Sequence, residues 1–388
     1  MPTRAQLEAL QDEALADDIE IQEEDMLSWP TDLAREYFEQ GGAIAADPAD
    51  FESERFAASL IGLPALGPST FSMPYEEYPK AHRCVRHKPR ARARLLALYG
   101  VGDTALSMYN WIEAAPAWLE VRLVELPGHG FRKDEPLPAC SQQRTTPCSA
   151  AELAEQRSQL CEQLIEELLP LLDAPYAMLG FSLGALLMFE LLHKLQQRGA
   201  PPPLHFFAVG RGPPHLVSMG EPQLQQLQTC DDLSVMRFLN ERLHFPIGHI
   251  TDAMVPRAAA LFRGGVLLGL LPHGTAPRSA GCSMLLWDDA DVAPCMSGAW
   301  DRDKPTMLNP LHADAPPTLA CPVTAVAGGD DTIWPPHTIA GWRAVTTAGL
   351  RELVIEGKAH NSLMCCPEVR RAAFAELAAA VQSKVRTC

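Results

Sequence analysis

The sequence predicts an α/β fold with a mostly parallel central sheet and helices on both faces. Three observations carry that expectation. Short, mainly apolar runs recur along the chain, among them Leu95-Leu96-Ala97-Leu98-Tyr99, Tyr176-Ala177-Met178-Leu179-Gly180 and Val323-Thr324-Ala325-Val326-Ala327. Stretches with apolar residues at helical spacing alternate with them. Several of the runs stop at a glycine or a proline. Strands that are apolar on successive residues are buried on both faces, as they are in a parallel sheet covered by its crossover helices.

In chain order, residues 1–93 stand apart. Glu8, Asp12, Glu13, Asp17, Asp18, Glu20, Glu23, Glu24 and Asp25 face a single Arg4, which is the wrong charge for a signal or transit peptide. A loop-rich stretch with Pro64, Pro68, Pro74 and Pro79 follows, and then a basic run of Lys80, Arg83, Arg86, Lys88, Arg90, Arg92 and Arg94. This part reads as an N-terminal extension packed on the main domain. From residue 94 to 388 the pattern is regular. Leu95–Tyr99 is a first strand and Val121–Leu126 a second, stopped by Pro127-Gly128. Leu153, Leu160, Leu164, Ile165 and Leu168 predict a helix over about 150–172. Tyr176–Gly180 is a third strand, residues 185–198 a helix, and His205–Val209 a fourth strand. Residues 213–271 read as helical and irregular, and 272–320, rich in Pro, Gly, Asp and Ala, as a long insertion. The sheet resumes at Val323–Ala327, then a helix near Ile339–Val345, a strand at Leu353–Ile355 and a last helix over about 367–385.

The chain has 388 residues, ample for one large core, and a net charge of -16 that would be repelled by a phosphate backbone; no nucleic-acid partner is expected. Its 11 cysteines are scattered, with no CxxC pair and no zinc spacing, so free thiols in a reducing compartment are expected. The apolar stretches near 261–271 and 177–192 are interrupted by Arg263, or by Ser182 and Glu190, so no membrane span is expected either. A cytoplasmic protein is the resulting expectation.

The chemistry centres on Gly180-Phe181-Ser182-Leu183-Gly184, a GxSxG sequence between a strand and a helix. A sharp strand-to-helix turn needs its glycines because side chains there would collide, and it presents the serine at the carboxyl edge of the sheet. This context predicts the α/β-hydrolase fold. A serine hydroxyl needs a base, and the base an orienting acid. Among 12 histidines, His360 follows the last strand and precedes the last helix, where this fold places its base. His129, His193, His205 and His215 read as structural or rim residues, and His337 is the rival. Gly328-Gly329-Asp330-Asp331 closes the preceding strand, and either aspartate could be the acid. The order Ser, Asp, His is the one this fold uses. The backbone N–H of Leu183 is the expected first oxyanion donor, and the second is expected from the loop Gly100-Val101-Gly102-Asp103-Thr104.

Several segments together resemble the type II thioesterases of polyketide and non-ribosomal peptide synthesis and their fatty-acid relatives. They are Leu126-Pro127-Gly128-His129-Gly130-Phe131-Arg132, Val209-Gly210-Arg211-Gly212-Pro213-Pro214-His215, and Cys321-Pro322-Val323 with Gly328-Gly329-Asp330-Asp331 and Trp342-Arg343. Gly357 and His360 complete the set. The resemblance spans about 94–271 and 320–380, and its register favours Asp331 as the acid. It departs from the family at the oxyanion loop, leaving Gly102 or Val101 as the second donor, and at Asn361, where a Phe is usual.

The resemblance implies a helical lid over about 213–271 and a triad of Ser182, Asp331 and His360. It also implies an acyl substrate on the phosphopantetheine arm of an acyl carrier protein or synthase carrier domain, with no metal or cofactor. The basic run from Lys80 to Arg94 reads as a solvated linker, with the steering of an acidic carrier as the alternative. Three other readings remain: an oxygen-ester esterase or lipase, an acyltransferase, and a binding module that has kept the fold.

Overall fold

The computed structural model describes residues 84–85, 91–214, 221–242, 250, 252–270 and 318–387. Seven strands form one sheet in the order β1-β3-β2-β4-β5-β6-β7. They are β1 (Cys84–Val85), β2 (Ala93–Leu98), β3 (Leu119–Leu123), β4 (Tyr176–Phe181), β5 (Phe206–Val209), β6 (Val323–Gly328) and β7 (Leu350–Ile355). All neighbours from β3 to β7 pair in parallel, and β1 adds a short antiparallel edge beside β3. Apart from Cys84–Val85 and residues 91–93, the last of which opens β2, the expected N-terminal extension lies outside the described residues, as does the expected insertion up to residue 317.

Every residue of β2 to β6 is buried. Since alternate side chains point to opposite faces, both faces of the sheet must be covered. The helices are α1 (Tyr109–Glu113), α2 (Ala150–Leu168), α3 (Leu183–Gln197), α4 (Glu221–Thr229), α5 (Asp232–Arg242), α6 (Val255–Leu270) and α7 (Pro367–Thr387). They associate in two groups. α2 lies on α3 through the buried Arg157–Glu190 pair and the Lys194–Glu162 pair. α1 meets α7 where Trp111 packs edge-on against Phe374. A capping box between Ser149 and Glu152 starts α2.

Several expected elements differ in extent or type. β3 stops at Leu123 rather than Leu126, because Glu125 turns inward to bond Tyr99. α2 stops at Leu168, and Pro170 continues it only as a single 3-10 turn. The segment Pro336–Val345 is 3-10 rather than α-helical, with Pro335 just ahead of it. The last strand is longer than expected, starting at Leu350. The basic run is also changed at its end: Arg94 is buried in β2 and bonds Leu171 O at 2.7 Å and Asp173 Oδ1 at 2.5 Å. It belongs to the core and presents no charge to a partner.

Helices α4, α5 and α6 lie within the region expected to be helical, and α6 packs against α3. Buried arginines fix it. Arg263, inside α6, donates to Leu227 O, Ser141 O and Cys230 O and pairs with Asp232 at 2.9 Å, tying α6 to α4 and α5. At the far end, Arg157 donates to Leu268 O at 3.3 Å and Arg211 to Gly269 O. These carbonyls belong to the last turn, whose partial negative charge favours a cation.

Candidate active site

The site is assembled where β4, β5, β6 and β7 end. Ser182 stands between β4 and α3 with φ 50° and ψ -112°, the only non-glycine positive φ among the described residues. The flanking sequence explains the turn. A Cβ on Gly180 would lie 2.3 Å from the backbone of Gly184 and Ala185. One on Gly184 would lie 2.3 Å from Leu98 O. Neither position tolerates a side chain, because backbone cannot yield as a flexible side chain can. The Ser182 N–H donates to Val209 O at 2.8 Å, which fixes the turn to β5.

His360 opens a 3-10 turn after β7 and is buried. Its Nε2 lies 3.1 Å from Ser182 Oγ, and its Nδ1 lies 2.8 Å from Asp331 Oδ2. A carboxylate only accepts, so Nδ1 carries the hydrogen and Nε2 faces the hydroxyl as acceptor. The other oxygen of Asp331, Oδ1, accepts from Ile333 N at 2.9 Å and Trp334 N at 2.8 Å. With both oxygens engaged, Asp331 is held in place while Asp330 is exposed. The loops bearing the two groups are also joined directly: Asp330 N donates to Lys358 O at 3.1 Å and Gly329 N to Ile355 O at 2.8 Å. Phe181 packs against the imidazole, ring centroids 5.1 Å apart.

The other histidines sit elsewhere. His129 is buried with Nδ1 3.0 Å from Pro127 O, and burial pushes it down to about 4. His205 meets Thr324 Oγ1 at 2.9 Å, and burial lowers it likewise to about 4. His193 lies on α3, and His337 is exposed on the 3-10 segment. His215 lies outside the described residues.

The three expected oxyanion residues share one neighbourhood. Leu183 is the first residue of α3, so its N–H belongs to the unpaired donors of a helix N-terminus. The loop 100–104 runs over the serine turn: a Cβ on Gly100 would lie 3.3 Å from Ser182 Cβ. Gly102 has φ +79°, and a Cβ there would lie 2.2 Å from Phe262 of α6. A Cβ on Gly265 would touch Val101 at 3.0 Å and Leu183 at 3.4 Å, and one on Gly269 would touch Leu183 at 2.8 Å. Thus α6 uses glycines to close directly on the residues beside Ser182. The sequence led to a helical lid over about 213–271, but not to the glycine face by which α6 closes on these residues.

It also missed Arg211 and Glu125. Arg211 is buried, with its guanidinium 4.6 Å from the ring of Trp334. Burial, with Arg157 nearby, pushes it down to about 9. Glu125 is buried beside the loop 100–104, where burial raises its carboxyl to about 8. The signal for Arg211 was its place in the segment 209–215. For Glu125 there was none, since it read as one residue of a strand. Among the described residues no group of three or more His, Cys, Asp or Glu could hold a metal ion, and no helix is long and apolar enough to cross a membrane.

A family model described as Thioesterase domain matches residues 95–262. The chain is 32% identical over 256 residues to the gramicidin S biosynthesis protein GrsT of Aneurinibacillus migulanus, covering 66% of this chain and 77% of that protein. It is 27% identical over 133 residues to the medium-chain S-acyl fatty acid synthase thioesterase of Homo sapiens, or 34% of this chain and 44% of that one. Among solved structures, the type II thioesterase BorB from the borrelidin biosynthetic cluster is similar with a TM-score of 0.51. That match has 20% identity over 76% of this chain and 92% of that one, a likeness of fold. The α/β-hydrolase fold expected from the sequence is the fold found.

Proposed function

Since the chain belongs to the thioesterase family, we propose that it hydrolyses acyl groups from the phosphopantetheine arm of a carrier protein, with Ser182 as nucleophile. The observation that carries this reading is the continuous relay Asp331–His360–Ser182, at 2.8 and 3.1 Å, on a strained strand-to-helix turn. His360 Nε2 takes the hydroxyl proton as Ser182 Oγ attacks the thioester carbonyl. Asp331 holds the Nδ1–H and stabilises the imidazolium that forms. The negative charge on the former carbonyl oxygen is met by the Leu183 N–H and by an N–H of Gly102 or Val101. The carbon–sulfur bond breaks, and His360 returns the proton to the leaving thiolate. Water, deprotonated by the same nitrogen, then attacks the acyl-enzyme and releases the acid. The reading needs no cofactor and no metal.

A carrier-bound substrate in peptide or polyketide synthesis is favoured by the likeness to GrsT, whose name places that protein in gramicidin S biosynthesis. The test is to load a carrier protein with acyl groups and follow acyl mass loss by mass spectrometry, wild type beside Ser182→Ala. We expect release with wild type alone. Release by Ser182→Ala at the wild-type rate would remove the serine mechanism. An intact acyl carrier alongside cleaved oxygen esters would place the enzyme among esterases instead.

A further inference from the structure

We propose that Glu125 is a positioning residue for the oxyanion loop, stapling both ends of residues 100–104 so that the second donor stays over Ser182. This rests on the serine mechanism proposed above and adds a part to it. Tyr99 is the last residue before the loop and Ala105 the first after it. The Tyr99 hydroxyl donates to Glu125 Oε1 at 2.5 Å, and the Ala105 N–H lies 3.3 and 3.2 Å from the two carboxyl oxygens. The Tyr99 oxygen in turn accepts from Leu126 N at 3.1 Å. One carboxyl therefore joins the exit of β2, the exit of β3 and the far end of the loop. Between the stapled ends lie Gly100, which approaches Ser182, and Val101 and Gly102, which pack under α6.

The surroundings are shaped to hold this carboxyl. A Cβ on Gly130 would lie 2.0 Å from Glu125 Oε2, so the turn Gly128-His129-Gly130 vacates its space. Burying a carboxyl is unfavourable unless its hydrogen-bonding capacity is used. For filling volume alone, a leucine would serve. The charged and titratable groups around it come from three directions. Tyr99 lies on the β2 side, and Asp103 in the loop itself. From the turn after β3 come His129, its ring 5.9 Å from that of Tyr99, and Arg132. Arg132 donates to the Glu125 backbone carbonyl at 3.1 Å but pairs with Glu135 and Glu167, so its charge is already matched. Burial raises Glu125 to about 8 and Asp103 to about 7, while His129, lowered to about 4, is neutral. Below its raised value the Glu125 carboxyl is neutral. Above it, a buried negative charge lies beside the loop and opposes the oxyanion of the transition state.

The experiment is steady-state hydrolysis of a small acyl-pantetheine thioester between pH 6 and 10, with wild type, Glu125→Gln, Glu125→Leu and Ser182→Ala. Wild type should lose kcat as pH rises through about 8, with KM little changed. Glu125→Gln keeps an oxygen for Tyr99 and Ala105 but has no charge to gain; it should fall less than about tenfold near neutrality and lack that alkaline decline. Glu125→Leu should lose on the order of 10²-fold in kcat at every pH, as when one oxyanion donor is removed. Asp103 is present in all four proteins, so only the decline near pH 8 reports on Glu125. If Ser182→Ala is dead while Glu125→Gln keeps the wild-type decline, the positioning role is wrong and the serine mechanism stands. If Glu125→Leu does not fold, the Glu125→Gln profile alone decides. If Ser182→Ala stays active, the mechanism itself has failed.

Discussion

Ser182 is held in a backbone conformation that costs about 1–3 kcal/mol for a residue with a side chain. The turn persists because Gly180 and Gly184 admit the close backbone contacts around it and because the Ser182 N–H is tied to β5. Asp331 is constrained in a different way, with one oxygen on two backbone N–H groups and the other on His360. Asparagine there can keep the loop bonds while presenting an amide N–H to Nδ1, which turns the imidazole to the wrong tautomer. Asp331→Asn should therefore lower kcat by about 10³–10⁴-fold, as loss of tautomer control does in such triads, with KM much less affected. Steady-state kinetics on an acyl thioester checks it, and a loss below tenfold would remove Asp331 from the relay. At this scale the sequence was legible where chemistry is local. The GxSxG turn and the Gly-Gly-Asp-Asp strand end carry their own geometric reasons. Glu125 was not legible, because its partners Tyr99 and Ala105 lie 26 and 20 residues away and only the fold brings them together.

Strands β2 to β6 were found in the sequence because burial on both faces makes them apolar on successive residues, whereas the two-residue edge strand β1 was not. The ends of the strands were not legible, since an end is set by what the next side chain bonds. Val124-Glu125-Leu126 continues the apolar run of β3, yet Glu125 leaves the ladder for Tyr99. Arg263 shows the same difficulty in a helix. By sequence it breaks an apolar stretch; in the structure it is among the most deeply buried side chains and satisfies three carbonyls and a carboxylate. Arg263→Ala would leave those carbonyls and Asp232 without their donor, at a cost of about 3–5 kcal/mol. The drop in urea midpoint measures it. Arg263→Lys should recover only part, because a point charge cannot reach the same set of acceptors. A loss within 1 kcal/mol for the alanine variant would show that α6 is held by packing alone.

Buried titrating groups bound the stability of the whole molecule from both sides of pH. His129 and His205 are lowered to about 4, against about 6.5 in an unfolded chain. The unfolded state takes up protons that the folded state refuses, so their contribution is full above about pH 6.5 and is lost as pH falls toward 4. Glu125 and Asp103 act in the opposite sense. Raised to about 8 and about 7, they stabilise the fold below the ordinary carboxyl range and lose that contribution as pH rises through the raised values. Between about pH 4.5 and 6.5 the two histidines and the two carboxyls pull in opposite directions, so the wild-type urea midpoint should change little there, while His205→Gln should give a midpoint that rises as pH falls. An unchanged slope in the variant would exclude His205 as a source.

The chain leaves α6 at a turn held by Arg157 and Arg211, and it re-enters the fold where Gln196 grips both sides of Leu319. Both joints are welded to the catalytic body, by α2 and β5 at one and by α3 at the other. Residues 268–269 and 318–320 are thus each fixed to the catalytic body by a side chain of another element, so the sheet and its helices set the position of both ends.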